Sequence, residues 1–441
     1  MDVFLVSSSE IAIKGGPVRR RMGAMLEDNI RRACGGGARI TTEFGKFVVV
    51  PKDERQMKCL SERLGKIFGV ATFARAAVIE FSCLEDLAKK ICGRFGKEVA
   101  GKKFRVTASR EGAHNFTSVD VQKVVGAALC REGGKVSLKE YDVEVFVEVR
   151  GRRAYAYTKK EAGPGGLPLG SEGKVVVLFS GGIDSPVAAW AMMRRGCTPA
   201  FLFVNLGGKE TLERAYEVYR KLADEWAFGN DLGFYCVDGG RIAEAIKERV
   251  KPQLRQVVLK RAFYALAERL CRQLRCDAIV TGESVGQVST QTIRNLAAIE
   301  SGVQCLVLRP LIAYTKEDTV REARRIGTYE RSILIGELCN ISQGSVATGA
   351  HAREVDGEYE KIMGEVEGAD VSIVTLAGGK MQNKSPNEEV VIRLEDGPID
   401  YKSLDKSKPY VIVCKNGLLA ARECDTLRAL GFNCTSRKIR K

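Results

Sequence analysis

The stretch 174–193 constrains this chain more than any other. An apolar run from Lys174 to Phe179 breaks at Ser180-Gly181-Gly182. After Ile183-Asp184-Ser185-Pro186 the sequence resumes as Val187-Ala188-Ala189-Trp190-Ala191-Met192-Met193, which has the composition of a helix. A buried strand, a glycine turn and a helix, in that order, leave the first N–H groups of the helix unpaired and aimed into the turn. Glycines let the backbone approach a ligand closely, Ser180 and Ser185 add hydroxyls, and an anion is the natural occupant. A plain strand-to-helix turn capped by Asp184 is the alternative. The spacing Ser-Gly-Gly-x-Asp-Ser directly after a buried strand is far more specific than a Gly-Gly pair. No Gly-Lys-Ser/Thr follows, so this is not a Walker A loop.

Downstream, apolar strands at 198–204, 232–237, 278–281 and 305–309 alternate with helical patterns at 212–223, 242–250 and 259–274. That alternation predicts a doubly wound, mostly parallel sheet, and such sheets bind ligands over the carboxyl ends of their strands. The rule selects Leu178 and Phe179, with Phe203 and Val204, to hold a flat ring, the backbone reading its edge. It selects Ser180, Gly181, Gly182, Asp184 and Ser185 to hold phosphates, with Asp184 placed to bind Mg2+. Lys260 and Arg261 lie near the start of the long helix. Gly282 and Gln291 belong to the small, polar segment Thr281-Gly-Glu-Ser-Val-Gly-Gln-Val-Ser-Thr-Gln-Thr292.

The rest of the chain is α/β as well. Residues 1–80 read as β-α-β-β-α-β, a ferredoxin-like order, with the unit placed at 1–55 and completed by about 56–80. Residues 81–160 read as a second small α/β unit, and 161–173 is rich in Gly and Pro, a linker by composition. Residues 346–369 read as an acidic connecting helix, and 370–441 as a separate small domain. The net charge is +15, and residues 1–171 carry 31 Lys and Arg against 20 Asp and Glu. That excess fits a polyanionic partner, most simply nucleic acid. Arg19, Arg20 and Arg21 either contact phosphate or form a solvated helix start; charge alone leaves both open. No apolar run is long enough to span a membrane, and no signal peptide is read.

Fourteen scattered cysteines read as reduced thiols, most of them core fillers. Cys271 and Cys276 are five apart on one helix and do not share a face. The two histidines, His114 and His351, are too few for a zinc site. Cys414 stands out because it precedes Lys-Asn-Gly and a helical stretch, a position that favours thiolate.

Several motifs together carry a resemblance. The Ser-Gly-Gly-Ile-Asp-Ser loop resembles the pyrophosphate loop of PP-loop ATP pyrophosphatases. Lys103 to Arg110, Asn115-Phe116-Thr-Ser118 and the helix after them resemble a THUMP domain, which binds the acceptor end of tRNA. Adding Gly-Pro-Gly-Gly-Leu-Pro168, Glu10 to Arg20, the 281–292 segment and Pro310-Leu-Ile-Ala-Tyr-Thr-Lys316, the whole chain is similar to ThiI-type tRNA 4-thiouridine synthetases. The resemblance implies a THUMP domain at 56–160 and a PP-loop domain at 174–345. It implies ATP binding by Lys260, Gly282 and Gln291, and activity dependent on Asp184 and Lys316. Its tRNA contacts are expected from Lys14, Arg19, Arg20, Lys103, Arg105 and Arg110. The Cys414 loop resembles that of a rhodanese, here short and with Leu419-Ala420 in place of the usual Arg/Ser. Cys414 would carry a persulfide supplied by a cysteine desulfurase, and Cys339 would resolve the intermediate to leave a Cys339–Cys414 disulfide. One subtype binds an iron–sulfur cluster through Cys-x-x-Cys-Lys-Arg. The matching residues here are Gln256-Val-Val-Leu259-Lys260-Arg261, so no cluster is expected. A homodimer in the cytoplasm is implied. The implied reaction transfers persulfide sulfur to tRNA uridine 8 through an adenylated uridine, releasing pyrophosphate and AMP. A sulfur carrier for thiamine thiazole synthesis and a non-catalytic tRNA-binding protein are the competing readings.

Overall fold

The computed structural model describes residues 2–336 apart from 44 and 231, then 346–377. Of the C-terminal part it describes 380–384, 390–394, 399, 404, 410–414, 418–430, 432 and 434–438. The N-terminal elements run β1 (Asp2–Ser7), α1 (Ser9–Ala12), α2 (Gly16–Ala33), β2 (Arg39–Glu43), β3 (Lys46–Val50), α3 (Glu54–Arg63) and β4 (Thr72–Glu80). They continue α4 (Leu84–Val99), β5 (Lys103–Glu111), α5 (Ser118–Arg131), β6 (Lys135–Val136), β7 (Val143–Arg150), β8 (Arg153–Tyr157) and β9 (Glu161–Ala162). Local chemistry sets the ends. α2 carries Pro17 in its first turn, where the ring fixes a helical φ, and α5 is capped by Thr117, which forms a capping box with Asp120.

The two N-terminal units share one sheet, in the order β2-β3-β1-β4-β8-β7-β5-β6, with β9 beside β4. β4 makes the fusion: its first half pairs with β1 and its second half, Ala77 to Glu80, with β8. Alternate residues of β1 serve two cores. Phe4 and Val6 pack under Met22, Leu26 and Ile30 of α2, while Val3 and Leu5 face Val48, Ala76 and Tyr155. A buried polar knot closes the junction. Glu148 of β7 accepts from Lys46, from Tyr157 Oη at 2.8 Å and from Arg150 Nη2 at 2.9 Å. Burial alone would raise the Glu148 pKa, but these donors outweigh it and hold the carboxyl below the usual glutamate value.

The glycine-rich segment after β9 is a packed strap and not a free linker. Gly69 N–H donates to Gly165 O, Leu167 N–H to Arg194 O and Gly170 N–H to Gly196 O. Leu167 and Leu169 are buried. The strap thus ties the N-terminal region to the next domain at several points.

That domain runs β10 (Lys174–Leu178), α6 (Asp184–Arg194), β11 (Thr198–Asn205), α7 (Gly208–Trp226), β12 (Phe234–Asp238), α8 (Gly240–Arg249), α9 (Arg255–Leu274), β13 (Ala278–Val280), α10 (Ile293–Glu300), β14 (Leu306–Leu308), α11 (Lys316–Ile326) and α12 (Tyr329–Ser332). After residue 345 come α13 (Ala352–Glu360), α14 (Met363–Glu367), β15 (Val371–Ala377) and β16 (Lys380–Lys384). The sheet order is β14-β13-β10-β11-β12-β15-β16. The first five strands are parallel, and β15 and β16 add as antiparallel strands. Two sequence expectations change here. Residues 346–369 form two short helices and not one connecting helix: α13 and α14 lie on α9, where Arg269 donates to Val366 O, Glu367 O and Ala369 O. The apolar stretch at 371–376 belongs to this sheet and not to the C-terminal domain, because β12 has an open edge that an apolar strand can cover. The C-terminal domain itself comprises the parallel strands β17 (Val390–Arg393), β18 (Tyr410–Cys414) and β19 (Cys434–Lys438) with α15 (Leu418–Ala429).

Glu148→Gln is expected to destabilise the protein by about 2 kcal/mol at neutral pH, since a buried ion pair loses one partner while the rest of the knot stays. The folded pKa of Glu148 is depressed, so its contribution is full above the unfolded value and is lost as pH falls through the lower, folded one. Denaturant titrations at neutral and acid pH should show the gap between wild type and variant closing on acidification.

Candidate active site

β10 is hydrogen-bonded to β11 on one side and to β13 on the other. The chain winds outward through β11 and β12, then returns to β13 across β10. A crevice therefore opens at the carboxyl end between β10 and β13. The loop after β10 is organised by its own hydroxyls. Ser180 N–H donates to Ser185 Oγ at 3.1 Å, and Gly182 N–H donates to Ser180 Oγ at 3.3 Å. Gly181 has φ +75°, and a Cβ there would meet Ile335 Cδ1 at 2.5 Å, so only glycine fits. Gly282 presses on the start of α6: a Cβ would lie 2.9 Å from the Asp184 carbonyl carbon and 3.0 Å from Ser185 N.

Two adjoining cavities occupy the crevice. The first is a slot of about 130 Å³. Leu178, Phe179, Ser180, Asp184, Ser185, Val204, Lys260, Gly282 and Gln291 all line it, as expected from sequence. Phe203 does not. Its side chain turns into the opposite core with Phe201 and Phe234, and Leu202 faces the cavity instead. The register explains this: Leu202 lies directly opposite Leu178, and side chains alternate along β11. Phe263 and Tyr264 from α9 complete an apolar slot. Gly182 lines the second cavity, which shares Ser180, Asp184 and Lys260 with the first. Arg261, next to Lys260, is buried on the other face of α9, above the Tyr359 ring.

The N-termini of α6 and α11 converge on the loop. Asp184 is the first residue of one, where a carboxylate is favoured, and Lys316 the first of the other, where a cation is not. Their contact resolves the mismatch. Lys316 Nζ lies 2.8 and 3.0 Å from the two Asp184 oxygens, and Gln287 Nε2 donates to Oδ2 at 2.9 Å. Asp184 with Ser180 and Ser185 is a donor set of the kind that holds Mg2+ through one carboxylate and a substrate's phosphates.

Sequence reasoning missed the support behind the slot. Glu283 Oε2 accepts from Tyr264 Oη at 2.5 Å, Thr281 Oγ1 at 2.9 Å and Arg309 Nε at 3.0 Å, and Arg309 also binds Glu300. Burial and the Glu283 charge push the Tyr264 hydroxyl well above its ordinary pKa. For Arg309, burial pulls down, but Tyr264, Glu283 and Glu300 outweigh it and raise the value. The signal available in sequence was the charge pair itself, Glu283 after one buried strand and Arg309 after the next.

The cysteines divide. Cys271 is buried in α9, whereas Cys276 lies beyond its end at Leu274, so the two do not share a helix. Burial raises the Cys271 and Cys236 thiols, the latter to about 12, and Cys276 to about 11. Among the described residues, no group of three or more His, Cys, Asp or Glu is placed to hold a metal. Cys339 lies outside the described residues, though Gly336 and Val346 on either side of 337–345 both line the second cavity. Cys414 ends β18, and α15 begins at Leu418. Of the basic candidates, Arg19, Arg20, Lys103 and Arg110 are exposed and Lys14 half-buried. Arg105 is committed elsewhere, paired with Glu144 at 2.7 Å and stacked on Tyr141.

Comparison with known proteins matches three successive parts of the chain to family descriptions. The ThiI ferredoxin-like domain matches residues 3–74, the THUMP domain 80–159, and the family described as thiamine biosynthesis protein (ThiI) 170–363. A tRNA sulfurtransferase from Pyrobaculum aerophilum is 36% identical across 99% of this chain and 96% of its own length. The chain belongs to the ThiI family of tRNA sulfurtransferases. A probable tRNA sulfurtransferase of this family from Saccharolobus islandicus is 41% identical, covering 82% of this chain and 98% of its own. Among solved structures, a 4-thiouridine synthetase in complex with RNA and ATP superposes with a TM-score of 0.74. It is 27% identical over 85% of this chain and all of that one. A Pyrococcus horikoshii protein, at TM-score 0.59 and 24% identity over 74% of this chain and all of that one, shares the fold. No described helix is long and apolar enough to cross a membrane.

Removing Arg309 as Arg309→Met should destabilise the protein by about 3 kcal/mol, because the buried Glu283 carboxylate loses its cation. Chemical denaturation monitored by circular dichroism measures this directly; a change under about 0.5 kcal/mol would place the network outside the fold's stability.

Proposed function

We propose that this chain converts uridine 8 of tRNA to 4-thiouridine, using ATP and a persulfide. The single observation that carries the reading is the convergence of the Ser180–Ser185 loop and two helix N-termini on the Asp184–Lys316 pair, beside a largely apolar slot. ATP would place its base among Leu178, Leu202, Val204 and Phe263, and its phosphates on the backbone N–H groups of the loop. Asp184 would hold Mg2+, which offsets phosphate charge when bound. Lys316 and Lys260 then face the α-phosphate, where charge builds up as pyrophosphate leaves. The uridine O4 attacks that phosphorus, giving an O4-adenylated base, and AMP becomes the leaving group for the next step.

Sulfur would come from Cys414. The terminal persulfide sulfur attacks C4 and AMP departs, leaving C4–S–S–Cys414. The Cys339 thiolate then attacks the Cys414 sulfur, so that the base keeps one sulfur as a thiocarbonyl and the protein keeps a Cys339–Cys414 disulfide. A cellular thiol reductant reopens it. Support for Cys414 is its place between a strand and the N-terminus of α15, which favours anionic sulfur. Support for Cys339 is the position of Gly336 and Val346 on the second cavity. A rhodanese-like character of the C-terminal domain rests on the sequence resemblance, joined by a parallel sheet with a helix after β18. The resemblance also carries a cysteine desulfurase as donor, a homodimer, a cytoplasmic setting and the absence of an iron–sulfur cluster. The exposed Arg19, Arg20, Lys103 and Arg110 support tRNA contact through the N-terminal region, by phosphate neutralisation that weakens with salt. The family's description as a thiamine biosynthesis protein supports a second role in thiamine synthesis, and a sulfur-carrying part for Cys414 in the thiazole step rests on the sequence resemblance alone.

Asp184→Ala should lower tRNA-dependent AMP formation by at least ~100-fold while tRNA retention on filters stays near wild type. Cys414→Ala should retain AMP formation and lose 4-thiouridine when a desulfurase is the only sulfur source. Thiolation at the wild-type rate by Asp184→Ala would exclude the loop, and by Cys414→Ala would exclude the persulfide route.

A further inference from the structure

Phe68 belongs by sequence to the N-terminal region and by packing to the next domain. Gly69, with φ +94°, turns the chain there. Ile67 lies in the core of the ferredoxin-like unit, whereas Phe68 is buried in the core that α6, α7 and α11 share over the parallel sheet. Among the described buried residues of that core, Phe68 is the only one contributed by residues 2–162. Its ring meets Trp190 of α6 edge-on, with centroids 5.6 Å apart, and stacks on Trp226 of α7 at 5.6 Å. The two indoles meet each other edge-on at 5.3 Å. The Arg325 guanidinium of α11 lies over the Trp190 ring at 4.3 Å. Trp226 Nε1 donates to the carbonyl of Ile326, the last residue of α11, at 3.1 Å.

The other ends of two of these helices form the candidate site. α6 begins at Asp184 and α11 at Lys316. Trp190 is about 9 Å along α6 from Asp184, and Arg325 about 14 Å along α11 from Lys316. At the site end the helices are joined by the Asp184–Lys316 pair, whose side chains are 24% and 46% exposed, and a pair so open to water holds little. At the far end they are joined by buried rings and by a cation over an aromatic face, which water does not screen. Trp190 Nε1 is buried with no acceptor among the described residues, so no hydrogen bond fixes the indole and its neighbours must. The far end therefore sets how α6 lies against α11. Further contacts fasten that end to the N-terminal region. Glu10 pairs with Arg195 at 2.8 Å, Lys66 with Glu225 at 2.8 Å, and Leu167 N–H donates to Arg194 O.

We propose that Phe68 is a positioning residue for the Asp184–Lys316 pair, acting through Trp190 and Arg325. It keeps the N-termini of α6 and α11 at the separation at which the two side chains serve the nucleotide. The N-terminal region is in this way part of the framework of the site. The effect on turnover rests on the ATP-dependent reading above; the coupling between the two helix ends does not.

Phe68→Leu removes the ring and keeps an apolar side chain. Arg325→Met removes the cation from a side chain that is 44% exposed, so the core stays filled. In the full-length protein with tRNA, each variant is expected to lower kcat for AMP formation at least ~10-fold. KM for ATP and retention of tRNA on filters should stay within about twofold of wild type. The double variant should lose little more than either single one, because both loosen the same contact. Wild-type kcat in both single variants overturns the proposal, as does a raised KM with kcat unchanged or a loss of tRNA retention in step with activity. If Phe68→Leu does not fold, the same split in Arg325→Met decides. A second readout is independent of turnover. Trp190 and Trp226 are the only two tryptophans of the chain, so tryptophan emission reads this cluster alone. Asp184→Ala, a change at the other end of α6, is expected to shift that emission or alter its yield, and a spectrum superimposable on wild type overturns the coupling. If the wild type makes no AMP with tRNA, the ATP-dependent reading falls, and the emission still decides whether the two ends are coupled.

Discussion

Everything that matters at the candidate site depends on β10 being paired in parallel on both sides. A five-residue strand flanked by β11 and β13 cannot extend at its carboxyl end without colliding with the connections of its neighbours. The chain turns there, and the turn is held by its own hydroxyls, with Ser180 N–H on Ser185 Oγ and Gly182 N–H on Ser180 Oγ. The close approach of Gly282 to Asp184 follows from the same constraint, because β13 ends beside the turn and its next residues have nowhere else to go. The apolar slot, the Asp184–Lys316 pair and the Glu283–Arg309 support are each one residue or one strand away from that junction.

Lys316 illustrates how the site manages its charges. A lysine at the first position of a helix is opposed by the helix dipole. Here it is held by two carboxylate oxygens and so fills the place that a bound cation would take. The loop is thereby kept in shape by an internal counter-charge.

Much of this was legible in the sequence. The Ser180–Ser185 loop, the parallel sheet and most residues of the slot follow from strand-turn-helix spacing and from where such sheets bind ligands. What was not legible has definite causes. Phe203 and Leu202 are both apolar and adjacent, and only the register with Leu178 tells which one faces the ligand. The strap at 163–170 has linker composition, but its glycines serve backbone contacts with Arg194 and Gly196, which a composition argument cannot see. β15 looks like any short apolar strand, and its assignment turns on the open edge of β12, a tertiary fact. Arg105 reads as a phosphate ligand until Glu144 and Tyr141 are found around it.

The shared strand β4 has a consequence for how the N-terminal region comes apart. The ferredoxin-like and THUMP units look like two modules in sequence, and each has its own helices and its own core. Yet β4 contributes hydrogen bonds to both, and the Glu148 knot ties β3 to β7 across the seam. Neither half can lose its sheet without baring an unpaired edge on the other. The strands on both sides of β4 are therefore expected to open together, as one cooperative unit in the thermodynamic sense.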